Sequence, residues 1–145
     1  KIPYMLGSTS EDMMVPFMHD MAKEWCILQD KQGKQPSYCW YFDRKLPGDE
    51  NGAWHSSELW YFFGTLKNCW RPFEDMDYAL SDQMTTALCN FAKTGTTNGG
   101  NMWAWNSTTA HSRKVMLFGE NPTSMGLPKK SKMWYTMLTN KAVGE

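Results

Sequence analysis

The 145-residue sequence is poor in the features that most directly assign a function. Lysine plus arginine number 15 and aspartate plus glutamate number 15, so neither sign of charge is in excess. That balance removes the electrostatic footprint needed to hold nucleic acid or an anionic membrane surface. The run Lys129-Lys130-Ser131-Lys132 is too short to be more than a solvated surface. No apolar stretch approaches the ~20 residues of a membrane-spanning helix, and the N-terminus lacks the charged-apolar-small pattern of a signal peptide. Neither a nucleic-acid nor a membrane partner is expected. The four cysteines, Cys26, Cys39, Cys69 and Cys89, include no Cys-x-x-Cys pair and have no histidine at zinc-ligand spacing. Each lies in an apolar or periodic context where a buried free thiol is the commoner state, so a reducing, cytoplasmic compartment is expected. Internal repeats and low-complexity tracts are missing, and the glycines of Asn98-Gly99-Gly100 lack the strand and helix context of a phosphate loop.

What is abundant is bulk: eight Trp and twelve Met. Large aromatics and pliable thioethers suit either irregular core packing or an adaptable apolar pocket. The length allows one domain with a real core, and residues 1–145 are taken as a single segment. Ile2–Gly7 reads as a short buried strand closed by glycine, and Ser37–Asp43 as an aromatic-rich second strand. Lys114–Gly119 reads as a third. Between the first two, Pro16 suits a first helical turn, and Phe17, Met18, Met21, Ala22, Trp25 and Leu28 recur at helical spacing up to Gly33. Glu74–Lys93 is the clearest helix, with Leu80, Met84, Ala87, Leu88 and Phe91 on one face and Gly95 as its stop. A closing helix is expected over Lys130–Leu138. The alternation predicts an α/β class with a short, mostly parallel sheet of about three strands flanked by helices. So narrow a parallel sheet, with a free edge, resembles one end of a larger one.

Three histidines can be weighed against one another. His19 lies beside Asp20 on the polar side of the first helix, and His111 lies in a Ser/Thr-rich loop; both are expected at the surface. His55 follows a strand and a loop and precedes a short aromatic helix, and loops at the ends of strands are where catalytic groups collect. Histidine is also a common capping or core residue, so position alone leaves both roles open.

The segment Gly52-Ala53-Trp54-His55-Ser56-Ser57-Glu58-Leu59-Trp60-Tyr61-Phe62-Phe63-Gly64 resembles the one that carries the catalytic histidine in type-B carboxylesterases. These are the α/β-hydrolase family that includes para-nitrobenzyl esterases and cholinesterases. Tyr41-Phe42-Asp43-Arg44 and Pro47-Gly48-Asp49 are similar to the strand and loop leading to that histidine. Asn90-Phe91-Ala92-Lys93-Thr94-Gly95 is similar to the end of the helix after it, and Val115–Gly119 to the final strand. The resemblance covers essentially the whole chain and implies the C-terminal part of such an enzyme. It implies His55 as general base and, in the loop Gly7-Ser8-Thr9-Ser10-Glu11-Asp12-Met13, Asp12 as its acid, with Glu11 as the alternative. The order Glu-Asp replaces the family's Asp-Glu, and Met13 replaces a glycine. An N-cap or first-turn carboxylate is the other reading of Asp12. Trp54, Trp60, Tyr61 and Phe63 are candidates for an apolar substrate pocket, with core packing the alternative for the last three.

No Gly-x-Ser-x-Gly elbow occurs. The nearest approach, Pro122-Thr123-Ser124-Met125-Gly126, begins with proline and follows the histidine, the wrong order for this family. A glycine-rich oxyanion loop is also missing. The resemblance therefore implies an upstream N-terminal partner segment that carries the nucleophilic serine and oxyanion hole. The substrate would be a small ester, cleaved with no cofactor and no metal. Two other classes stay open: a non-catalytic interaction protein of the cholinesterase-like family, and a self-standing Trp-rich binding module.

Overall fold

The computed structural model describes residues 2–119 and 124–128. Its order is β1 (Tyr4–Thr9), α1 (Val15–Lys31), β2 (Ser37–Phe42), α2 (Leu59–Phe62), α3 (Asp75–Thr94), β3 (Val115–Phe118) and β4 (Ser124–Gly126). A single 3-10 turn, Leu66–Asn68, follows α2. The three expected strands run parallel in the order β1-β2-β3, and the short β4 adds an antiparallel edge that periodicity did not signal. Ser124 is extended there and lies opposite Leu117. The helix expected over Lys130–Leu138 lies outside the described residues.

Gly7 does not close β1, which continues to Thr9. It is paired with Trp40, and a Cβ at Gly7 would stand 2.2 Å from the Trp40 carbonyl oxygen and 2.3 Å from its indole. Close backbone approach, not chain reversal, is what calls for glycine here.

β2 is buried at every residue and divides two cores. On one face Tyr38, Trp40 and Phe42 join Met116, Phe118, Leu46 and Trp105, with Tyr61 and Phe62 of α2 and Leu80, Met84 and Ala87 of α3 packed over them. On the other, Cys39, Tyr41 and Val115 lie under Ala22 and Cys26 of α1. α3 follows its sequence pattern closely. A reciprocal Glu74–Asp77 capping box starts it, and Gly95, with φ +75°, ends it in the left-handed conformation glycine adopts without strain.

α1 departs from expectation. The face against the sheet carries His19, Ala22 and Cys26, all buried, whereas Phe17, Met18, Met21, Trp25 and Leu28 are exposed. His19, expected at the surface, is only 3% exposed and meets Tyr41 edge-on at 4.8 Å between ring centroids. Periodicity located an apolar face correctly, but a different face is the one this sheet covers. Of the cysteines, Cys26 and Cys39 are buried, Cys69 is half-buried and Cys89 is exposed; all four are free.

Candidate active site

Because β1 and β2 are neighbouring parallel strands, the loops leaving their C-terminal ends emerge side by side. The first carries Glu11 and Asp12, the second His55. Their backbones join: Ser10 N donates to Phe42 O at 2.8 Å, Glu11 N donates to Ala53 O at 3.0 Å, and Glu11 bridges to Trp54. Within the second loop, Leu46 N donates to Gly52 O, and Leu46 and Ala53 sink into the core as anchors.

Two polar braces hold this loop from outside. Arg44, just beyond β2, donates through Nε to Asp77 Oδ1 at 2.8 Å and through Nη2 to Oδ2 at 3.2 Å. Tyr61 donates its hydroxyl to Asp77 Oδ1 at 2.7 Å. Burial alone would raise the Asp77 carboxyl, but the bonds from Arg44, the Glu74 amide and Tyr61 outweigh it and hold the group below its ordinary value. Burial and the adjacent Asp77 together push the Tyr61 phenol well up. The second brace is Arg71, whose guanidinium lies 4.5 Å from the Trp54 ring centroid and 4.8 Å from that of Trp70. It also donates to Pro47 O at 2.8 Å and pairs with Asp49, whose carboxyl it lowers. The residue before His55 is thus clamped on one ring face.

The result is a dyad. His55 Nδ1 and Asp12 Oδ1 are 2.8 Å apart, and the same oxygen accepts the Met13 amide at 2.7 Å. Asp12 is 14% exposed and His55 62%. Among the described residues, no hydrogen bond reaches His55 Nε2. Glu11 is turned elsewhere, its side chain lying over Gly52. The acid within reach of the histidine is Asp12, and it does not cap α1, which starts after Met14 without a side-chain cap.

The only two non-glycine residues with positive φ among the described residues flank this pair: Met14 at +55° and Ser56 at +71°. Such conformations cost about 1–2 kcal/mol each for an L-residue and collect at functional sites.

Sequence reasoning missed Glu58. It stands three positions after His55, and its Oε2 is buried with no hydrogen-bond partner among the described residues. Burial raises its carboxyl above the ordinary value; Asp12 raises it further, and His55 opposes. A third acidic residue near a dyad is invisible to local patterning, although its place in the turn after His55 was a signal.

The pocket candidates separate. Tyr61 is fully buried against Phe42 and Phe73 and packs as part of the core. Trp54 and Trp60 are half-buried and packed on that core, and Phe63 is exposed. Among the described residues no group of three or more His, Cys, Asp or Glu is placed to hold a metal ion, and no helix is long and apolar enough to cross a membrane.

Chemically, the pair can fix one tautomer and leave a basic nitrogen facing solvent. The same arrangement accompanies a wider likeness. The carboxylesterase family pattern matches residues 3–135. Among solved structures, an esterase from the anaerobe Clostridium hathewayi that can hydrolyse aliphatic aromatic polyesters superposes with a TM-score of 0.68 at 20% identity. The likeness covers 87% of this chain and 25% of that one. A thermophilic PNB esterase gives a TM-score of 0.62 at 22% identity, over 78% of this chain and 24% of its own. A further PNB esterase gives 0.60 at 21% identity, over 78% and 23%. The chain therefore spans about a quarter of the length of these structures. No curated protein matches it.

Proposed function

The chain belongs to the carboxylesterase family, and on that premise we propose that it is the C-terminal portion of a serine carboxylesterase, supplying the acid and the base of the triad. The supporting observation is the 2.8 Å contact between His55 Nδ1 and Asp12 Oδ1, formed by residues 43 positions apart. In this reading Asp12 accepts a hydrogen bond from Nδ1–H and fixes the tautomer, so that Nε2 carries the free lone pair. Nε2 takes the proton of a serine hydroxyl provided by the upstream part of the enzyme. The alkoxide attacks the ester carbonyl, and the imidazolium returns the proton to the departing alcohol. Water, deprotonated by the same nitrogen, then attacks the acyl carbonyl, and the imidazolium returns that proton to the departing serine oxygen as the acid is released. Oxyanion donors also come from upstream, consistent with a dyad that stands open on one side. The substrate class is a small carboxylic ester.

Site-directed variants of the complete enzyme test the assignment. His55→Ala is expected to lower kcat toward a small aryl ester by about four to six powers of ten. Asp12→Asn, which leaves the shape but favours the wrong tautomer, is expected to cost about four. Glu11→Gln is expected to change kcat less than about threefold, because its carboxylate lies over Gly52. Near-normal turnover by His55→Ala would sink the catalytic reading; a larger loss from Glu11→Gln than from Asp12→Asn would reassign the acid.

A further inference from the structure

The sequence holds two Asn-Gly pairs, Asn51-Gly52 in the loop that carries His55 and Asn98-Gly99 in the turn after α3. Such a pair can react with itself. The glycine nitrogen attacks the asparagine Cγ, the new N–C bond closes a succinimide ring, and the Cγ–Nδ2 bond breaks. The glycine amide proton leaves with that nitrogen as ammonia. Water then opens the ring on either side, giving aspartate or isoaspartate. Glycine permits the reaction because no Cβ blocks the approach. The step is intramolecular, so local geometry sets its rate.

Both asparagines are exposed, so access to water does not separate them. Hydrogen bonds do. Asn98 Nδ2 donates to Trp105 O at 2.9 Å, and Asn98 Oδ1 accepts Trp105 N at 2.8 Å. The next residue is held as well, since Gly99 O accepts Asn90 Nδ2 at 3.2 Å. Turning Asn98 Cγ onto Gly99 N breaks both bonds to the main chain of Trp105, whose side chain is fully buried. Asn51 has no such tether. Its backbone N donates to Asp49 Oδ1 at 3.0 Å, and its side chain meets only the Asp49 carboxylate among the described residues. Among those residues, too, no acceptor takes the Gly52 N–H, the nucleophile of the first step.

We propose that Asn51 is a site of spontaneous deamidation, and that its isoaspartate product dislodges the loop carrying His55. Isoaspartate runs the main chain through the side-chain carbons, which adds one methylene between two anchors. These are the Asn51 amide on Asp49 and the Gly52 carbonyl, which accepts Leu46 N at 3.3 Å. Leu46 and Ala53 are buried, so the core cannot follow the longer chain. The new carboxylate also adjoins Glu50 and Glu11, whose side chain lies over Gly52, and like charges drive it outward. His55 stands three residues beyond Gly52. The link to turnover rests on the catalytic reading above; the deamidation itself does not.

The complete polypeptide containing this sequence is incubated at neutral pH, folded and in urea, then digested for mass spectrometry, with isoaspartate labelled by an isoaspartyl methyltransferase. In the folded protein Asn51 is expected to convert at least about tenfold faster than Asn98. In urea the two rates should agree within about threefold, since the Trp105 tether is gone. Equal rates in the folded protein, or faster conversion of Asn98, overturn the site. The converted enzyme, separated by its added negative charge, is expected to hydrolyse a small aryl ester at least about tenfold more slowly. Asn51→Gln, aged alongside, should keep its turnover. Unchanged turnover of the converted enzyme, with His55→Ala inactive, overturns the effect on the loop. Normal turnover by His55→Ala sinks the catalytic reading instead, and the folded-against-urea comparison then decides the site by itself.

Discussion

At the scale of single residues, His19 shows how far an environment can depart from its sequence context. Asp20 beside it suggested a solvated histidine, but the backbone turns its ring inward to Tyr41, and neither ring nitrogen has a hydrogen-bond partner among the described residues. Burial, reinforced by the Lys23 ammonium and only partly opposed by Asp20, lowers its pKa from 6.5 to about 4. The unfolded chain therefore takes up a proton that the folded chain refuses throughout this interval. Stability is full above about pH 6.5 and falls as the pH drops toward about 4, by about 3 kcal/mol for this residue at 1.36 kcal/mol per unit. Urea unfolding at pH 7 and pH 4 should show that loss, and His19→Leu, which removes the titration, should show a correspondingly smaller one. An unchanged pH dependence in His19→Leu would place the acid sensitivity over this interval in another group; the Asp77 carboxylate, held below its ordinary value, loses its contribution only at lower pH.

At the scale of elements, the loop carrying His55 owes its position to α3 as much as to the sheet. Asp77 receives Arg44 from the end of β2 and Tyr61 from α2, so one buried carboxylate ties three elements together. Asp77→Ala removes the carboxylate that Arg44 and Tyr61 share in the interior and is expected to cost about 3–5 kcal/mol. An Arg44→Met, Asp77→Leu double variant, which removes both charges, should recover most of that in a thermal melt. If the single and double variants melt alike, the packing and not the ion pair carries the effect. None of this network was legible in the sequence, because its members lie 33 and 16 positions from Asp77 and share no periodicity. α3 itself was legible, since Leu80, Met84 and Ala87 face the core built on Tyr38, Trp40 and Phe42 and Gly95 ends the helix. α1 was legible as a helix but not in its orientation: its strongest apolar stripe faces away from the described sheet. Asp12 was picked out by resemblance alone. Local chemistry made it a helix cap, and only the adjacency of β1 and β2 brings it to His55.

At the scale of the whole molecule, two facts combine. The formal net charge is zero at neutral pH, with a sequence pI of about 7.0, and a broad apolar stripe stands open on α1. Nothing electrostatic keeps copies of the chain apart at the pH where the stripe most needs covering. A self-standing binding module would not ordinarily present such a face, and the upstream part of a longer enzyme would remove it. The 145-residue chain should therefore scatter light most strongly near pH 7 and less at pH 9, where lost protons leave it net negative. Met18→Lys, Met21→Lys should reduce the scattering at pH 7 itself, since it interrupts the stripe and adds charge of one sign, without lowering the thermal midpoint by more than about 0.5 kcal/mol equivalent, as befits exposed positions. Association that is the same at pH 7 and pH 9 and insensitive to both substitutions would point to the β1 edge, whose backbone hydrogen bonds carry no charge dependence, as the sticking surface. Raised salt separates these further: it leaves the apolar association near the pI intact and restores at pH 9 the association that net charge had suppressed.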